Sequence, residues 1–313
     1  MKNNNFKKQF IILMVLSVYI ESNVSVGEIE ELYILKNSEE RRIQIYTPSN
    51  LPINSDTKFI IMNDGQELFS GNETWNGASW KIDESFKKLS ELNKNINIVV
   101  IAVDNAKTKS NTMIDDTKRY VEYFPKESIK FYNKSLRKNI YERYTNKEEL
   151  NYPNFLAKTL IPFLEKRFEI QLNKSNLGIV GSSMGGVSAL NTILEYPELF
   201  GFAGCLSTHW VGIKPIEYVT LPIRKRIKGD KATTLAIREY VENNINKISG
   251  QKLYFDHGTE GLDALYKKPQ REINELLEKE NIDFKSLVFE GHEHSPSDFG
   301  KRFNIMLEFL LGI

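Results

Sequence analysis

Gly181-Ser182-Ser183-Met184-Gly185 follows the apolar run Leu177-Gly178-Ile179-Val180 and precedes a stretch of helical spacing from Val187 to Tyr196. A G-x-S-x-G pentapeptide between a strand and a helix is a sharp turn that exposes a serine oxygen at a helix N-terminus. The flanking glycines let strand and helix pack closely enough for that turn. The backbone N–H of Met184 then faces the place where negative charge would develop if Ser183 attacked a carbonyl. A serine hydroxyl at neutral pH needs a base. The chain offers four histidines, His209, His257, His292 and His294. In a strand–turn–helix arrangement of this kind the base comes last in the chain, after the last strand. His292 and His294 both satisfy that order. His209 and His257 follow earlier strands, where they can line the pocket. The acid that orients the base belongs between nucleophile and histidine, and Asp256, Glu260 and Asp263 all fall there. The spacing of His292 and His294 does not suit a zinc site, and no third ligand stands out, so neither metal nor cofactor is expected.

Positioning these groups requires a sheet. Phe59 to Met62, Ile96 to Val103, Leu177 to Val180, Phe202 to Leu206, Leu253 to Asp256 and Leu287 to Phe289 are short apolar runs bounded by polar or turn residues. Between them, helical spacing covers Ser79 to Leu92, Asn154 to Arg167 and Pro269 to Glu280, and a last helix carries Phe303, Met306, Leu307, Leu310 and Leu311. Alternating strands and helices predict a mostly parallel, doubly wound α/β sheet with helices on both faces. Leu32 to Leu35 and Arg42 to Tyr46 read as an antiparallel pair ahead of it. Tyr123 to Tyr152 and Gly212 to Lys231 break the alternation and are expected to be cap-like insertions over the C-terminal edge of the sheet, where ligands of such folds bind.

These residues resemble the esterase D-like, enterochelin esterase-like branch of the α/β hydrolases. The resemblance spans about Arg42 to Leu311. Beyond the serine turn it rests on Met62-Asn63-Asp64-Gly65-Gln66-Glu67-Leu68-Phe69, Arg119-Tyr120-Val121-Glu122-Tyr123-Phe124-Pro125, Ser207-Thr208-His209-Trp210 and Asp256-His257-Gly258-Thr259. It implies a serine esterase acting on a small-molecule ester, siderophore-like or carbohydrate-linked, through an acyl-enzyme. It assigns His294 as base, Asp263 as acid with Glu260 as the alternative, and Gly65 or Gln66 as the second oxyanion N–H beside Met184. Asn63 departs from the family, in which many members carry histidine there. Arg119, Tyr123, His209 and Trp210 are the expected substrate contacts, with Phe124 and Tyr132 beside them; Arg119 can bind an anion or pair with Glu122. An acyltransferase of the same fold, or a ligand-binding protein that has kept it, are the alternatives.

With 313 residues, 41% hydrophobic and 27% charged, the chain suits one globular α/β domain. A net charge of +1 leaves no basic surplus for a nucleic-acid partner. Lys2, Lys7 and Lys8 before Phe10 to Ile20 read as a secretory leader ending near residue 23, too short for a stable membrane span. An exported esterase domain over 24–313 is therefore expected. The single cysteine, Cys205, excludes an internal disulfide and reads as a buried apolar residue.

Overall fold

The structure is a computed structural model that describes residues 15–18, 24–36, 39–74, 76–92, 97–106, 113–132, 138–139, 142–143, 150–214, 217 and 227–313. Its strands are β1 (Val15–Val18), β2 (Glu28–Lys36), β3 (Glu39–Thr47), β4 (Lys58–Asn63), β5 (Ile98–Val103), β6 (Leu177–Ser182), β7 (Phe202–Leu206), β8 (Lys252–Gly258) and β9 (Asp283–Phe289). They form one sheet in the order β1-β2-β3-β5-β4-β6-β7-β8-β9. From β5 to β9 every pairing is parallel, whereas β1, β2 and β3 join antiparallel at one edge. The fold is the expected α/β hydrolase, with the predicted hairpin as its antiparallel flange. Val15–Val18, inside the apolar N-terminal stretch, pairs with Glu31 to Ile34 of β2.

The strands that looked continuously apolar are buried on both faces, and their alternate residues sort into two cores. Phe59, Ile61, Val99, Ile101 and Val103 face one core, and Ile60, Met62, Ile98, Val100 and Ala102 face the other. The second is closed by α1 (Ile82–Glu91) and the C-terminal helix, Pro296–Leu311. The first is closed by the middle helices. In chain order these are α2 (Met113–Tyr123), α3 (Tyr152–Phe155), α4 (Ile161–Phe168), α5 (Met184–Glu195), α6 (Lys231–Asn244) and α7 (Lys267–Lys279); the C-terminal helix is α8.

The single helix expected over Asn154 to Arg167 is α3 and α4 joined by a wider π turn at Leu156–Leu160. The sequence supplies the reason: Pro162 has no N–H to continue the α pattern, and the N–H of Ile161 reaches back to Leu156. Much of the two insertions lies outside the described residues. Flanking them are α2 and α6, which the apolar spacing had not suggested. Cys205 lies within β7, fully buried, with Gly181 of β6 and Phe255 of β8 as its register partners.

Candidate active site

Ser183 sits between β6 and α5 at φ 56° and ψ −124°, a conformation that side-chain-bearing residues rarely adopt. The turn is held by the bond from the Ser183 N–H to the Leu206 carbonyl (3.0 Å), and by the His209 N–H donating to the Ser183 carbonyl (3.1 Å). Glycine is required on both sides. A Cβ on Gly181 would lie 2.4 Å from the Gly185 carbonyl oxygen, and one on Gly185 would lie 2.9 Å from the Asp64 carboxylate. The motif's spacing is thus a close approach between strand and helix backbones, as the sequence predicted.

The loop after β4 meets this turn. The Asn63 amide donates to the Gly185 carbonyl (2.8 Å) and accepts from the Tyr152 hydroxyl (2.8 Å). That is how this chain fastens the loop. Asp64 adopts a left-handed conformation, φ 58°, and starts the short 3-10 turn Gly65–Glu67. Its carboxylate takes two bonds from Arg119 (2.6 and 2.7 Å) and one from Asn105 (2.7 Å), while the Tyr123 hydroxyl accepts from its N–H (3.2 Å). Arg119 therefore pairs with Asp64. Glu122, the partner considered from sequence, instead binds Arg41 (2.6 Å) and the Ala106 N–H (2.7 Å).

On the other side of Ser183, β8 ends in a loop whose one-turn helix Asp263–Leu265 carries a fully buried carboxylate. His294 Nδ1 lies 2.6 Å from Asp263 Oδ1. The second oxygen, Oδ2, accepts from the Ser207 hydroxyl (2.6 Å) and the Gly258 N–H (2.6 Å). Burial acts to raise the Asp263 carboxyl, but the bonds from His294, Ser207 and Gly258 outweigh it and hold its pKa below the usual carboxylate range. Glu260 is exposed, with the Thr259 hydroxyl as its hydrogen-bond donor (3.4 Å). His292 lies beyond the pair, its Nδ1 3.8 Å from Asp298. His257 is buried, with Nδ1 2.6 Å from the Gly258 carbonyl oxygen.

Two buried residues that sequence reasoning missed complete this side. Arg302 of α8 donates to Asp256 (2.9 Å) and to Ser207 (3.0 Å), with its guanidinium between the Phe289 and Phe299 rings. Tyr266, fully buried, stands edge-on to both His209 and His294, and its hydroxyl lies 2.9 Å from His209 Nδ1. The signal for Arg302 was a charge on the apolar face of a helix; for Tyr266 it was an aromatic three residues after Asp263. The aromatics expected at the rim are buried: Tyr123, Phe124, Tyr132 and Trp210 are at most 5% exposed, and the Trp210 indole N–H donates to Gln270 (2.8 Å).

A strained serine and a carboxylate-backed imidazole, both at the C-terminal ends of parallel strands, belong to the α/β hydrolases that cleave esters. Residues 36–310 match the family described as "Putative esterase", and the chain belongs to it. The protein is a hydrolase acting on ester bonds. Among curated proteins it is 25% identical over 255 residues to Uncharacterized protein YjcH of Bacillus subtilis, covering 81% of this chain and 85% of that one. Among solved structures it resembles the Enterobactin and Salmochelin Hydrolase IroE (17% identity, TM-score 0.59, 92% and 97% of the two chains). It also resembles the BES protein from Bacillus cereus (18%, 0.57, 93% and 97%) and a ferulic acid esterase (12%, 0.56, 95% and 97%).

Proposed function

We propose that the protein is a serine esterase whose catalytic triad is Ser183, His294 and Asp263. The observation that carries this reading is the 2.6 Å contact between His294 and the buried Asp263, beside a serine strained into an elbow. Tyr266 stands edge-on to His294 and to His209, whose N–H donates to the Ser183 carbonyl, so base and nucleophile flank one buried ring. Asp263 takes up the Nδ1 side of the imidazole, leaving Nε2 to receive the Ser183 proton as Oγ attacks the ester carbonyl. N–H groups of Met184 and of Gly65 or Gln66 hold the oxyanion. His294 then protonates the leaving alcohol, and water releases the acid by the same route.

The substrate we propose is a siderophore-like or carbohydrate-linked ester, supported by the activities named for the structural relatives. Export is the companion proposal, resting on the basic then apolar N-terminus. The deciding experiment is hydrolysis of short p-nitrophenyl esters by the full chain. Ser183→Ala is expected to abolish turnover, and Asp263→Asn to lower kcat by about 10³- to 10⁴-fold. Glu260→Gln should stay near wild type. Equal rates for wild type and Ser183→Ala would overturn the reading. If alcohols added to the assay capture the acyl group in preference to water, the enzyme is an acyltransferase.

A further inference from the structure

The esterase mechanism needs one oxygen of Asp263 to face His294 and does not say what holds the other. That second oxygen, Oδ2, meets a fully buried group of residues from three elements. Ser207, the residue after β7, has no solvent exposure and a left-handed backbone, φ 42°, that side-chain-bearing residues rarely adopt. Its N–H fastens it to β8, donating to the Asp256 carbonyl (2.9 Å) and to Asp256 Oδ1 (3.2 Å). In that conformation the Ser207 hydroxyl lies 2.6 Å from Asp263 Oδ2. Arg302 of α8 closes the group. Its Nη2 donates to Ser207 Oγ (3.0 Å) and lies 3.8 Å from Asp263 Oδ2. Its Nη1 donates to Asp256 (2.9 Å) and its Nε to the Asp298 carbonyl (3.1 Å), so the guanidinium is held along its whole edge.

We propose that Ser207 is a positioning residue of the triad, its hydroxyl clamping Asp263 Oδ2 so that Oδ1 is held for His294. This rests on the esterase reading above and deepens it. Donor counting sets the direction of each bond. A guanidinium has donors and no acceptor, so Ser207 Oγ accepts from Arg302. The single Ser207 proton is then left for Asp263. The Gly258 N–H (2.6 Å) is a second donor to Oδ2, and the carboxylate cannot rotate without breaking both bonds.

The chemistry gained lies in the attack step. As Ser183 Oγ bonds to the ester carbon, its proton passes to His294 Nε2, and the imidazolium faces a carboxylate buried from water. Burial favours the neutral acid, which would draw the Nδ1 proton onto Oδ1 and discharge the pair. The Ser207 bond and the nearby Arg302 cation both favour the anion. Although burial opposes it, the bonds from His294, Ser207 and Gly258 hold Asp263 below the usual carboxylate range. The other titratable groups facing Asp263 are Asp256 on β8, His209 after β7, Tyr266, and His292 in the loop before α8. Burial pushes Asp256 up to about 6 with Arg302 opposing, so above that pH it balances the Arg302 charge.

The test measures kcat and kcat/KM for p-nitrophenyl butyrate against pH on the full chain. Ser207→Ala removes one oxygen and should lower kcat on the order of tenfold, with KM unchanged. Asp263 then keeps its charge with one donor fewer and favours the imidazolium more strongly. The acid limb of kcat/KM should therefore move up by about 0.5 to 1 pH unit. Ser207→Gly loses the same hydroxyl but relieves the left-handed backbone. It should show the same loss and the same limb while melting higher than Ser207→Ala. Ser207→Ala/Asp263→Asn should be no slower than Asp263→Asn alone, because Ser207 acts through the carboxylate. Wild-type kcat in Ser207→Gly, a loss of turnover with the acid limb unmoved, or fully additive losses in the double variant would overturn the assignment and leave the esterase reading intact. If Ser207→Ala melts below the assay temperature, Ser207→Gly decides alone. A wild-type rate for Asp263→Asn would overturn the triad acid and this inference with it.

Discussion

At the scale of single residues, the site combines strain with burial. Ser183 holds a backbone conformation that costs about 1–3 kcal/mol in a residue bearing Cβ. Ser183→Ala keeps that strain, whereas Ser183→Gly releases it. Both should be inactive, but the glycine variant should be more stable by about 1 kcal/mol, read from urea midpoints. His209 gives a second prediction. Its folded pKa of about 3 lies below that of an unfolded histidine, so between pH 6.5 and 3 the unfolded chain binds more protons. Stability is then lost as pH falls through that window, by about 2 kcal/mol at pH 5 (1.5 pH units below 6.5 at 1.36 kcal/mol each). Urea titrations at pH 7 and pH 5 should show the loss, and His209→Asn should narrow the gap. The Ser183 elbow was legible because its strand–turn–helix place along the chain is fixed, whereas position alone left His292 and His294 open and only the family resemblance favoured His294. Asp263 and Glu260 were not separable by spacing; the loop's backbone buries one carboxylate and exposes the other. Tyr266 left only a weak signal, an aromatic three residues after Asp263, because what a lone aromatic in a loop packs against is set by folding.

Elements meet at Arg302, where α8 is bonded to the end of β8 through Asp256 and to the residue after β7 through Ser207. Burial pushes the Asp256 carboxyl up to about 6 although Arg302 opposes it. Arg302→Met would leave that carboxylate without its cation, at a cost of about 3 kcal/mol or more at pH 8. At pH 5 Asp256 would take a proton instead, so the loss should be smaller there; comparing denaturation midpoints at the two pH values checks this. The strands were readable because each is a short apolar run with polar ends. α6 was missed although Thr233, Ala236, Ile237, Tyr240 and Val241 are its buried face and Asp230 caps it. Its threonines and flanking charge masked a stripe that an i, i+3, i+4 count would have found. α2 lay where motif resemblance drew attention to Arg119 and Tyr123 rather than to their periodicity.

Across the whole molecule, the proposed catalytic groups after β6, β8 and β9 gather at one end of a parallel sheet, and the antiparallel flange builds one edge of it. Among the described residues no helix is long and apolar enough to cross a membrane. If export removes the first 23 residues, β1 goes with them and β2 becomes the edge strand; N-terminal mass spectrometry of secreted protein would locate the cut. The burial of Cys205 between β6 and β8 has a practical consequence. A thiol reagent reaches it only when neighbouring strands part, and no second cysteine competes for the label. In the native protein the labelling rate is therefore a clock for rare opening of the sheet interior. Read beside the loss of esterase turnover, it would tell whether the catalytic loops melt before the scaffold that carries them.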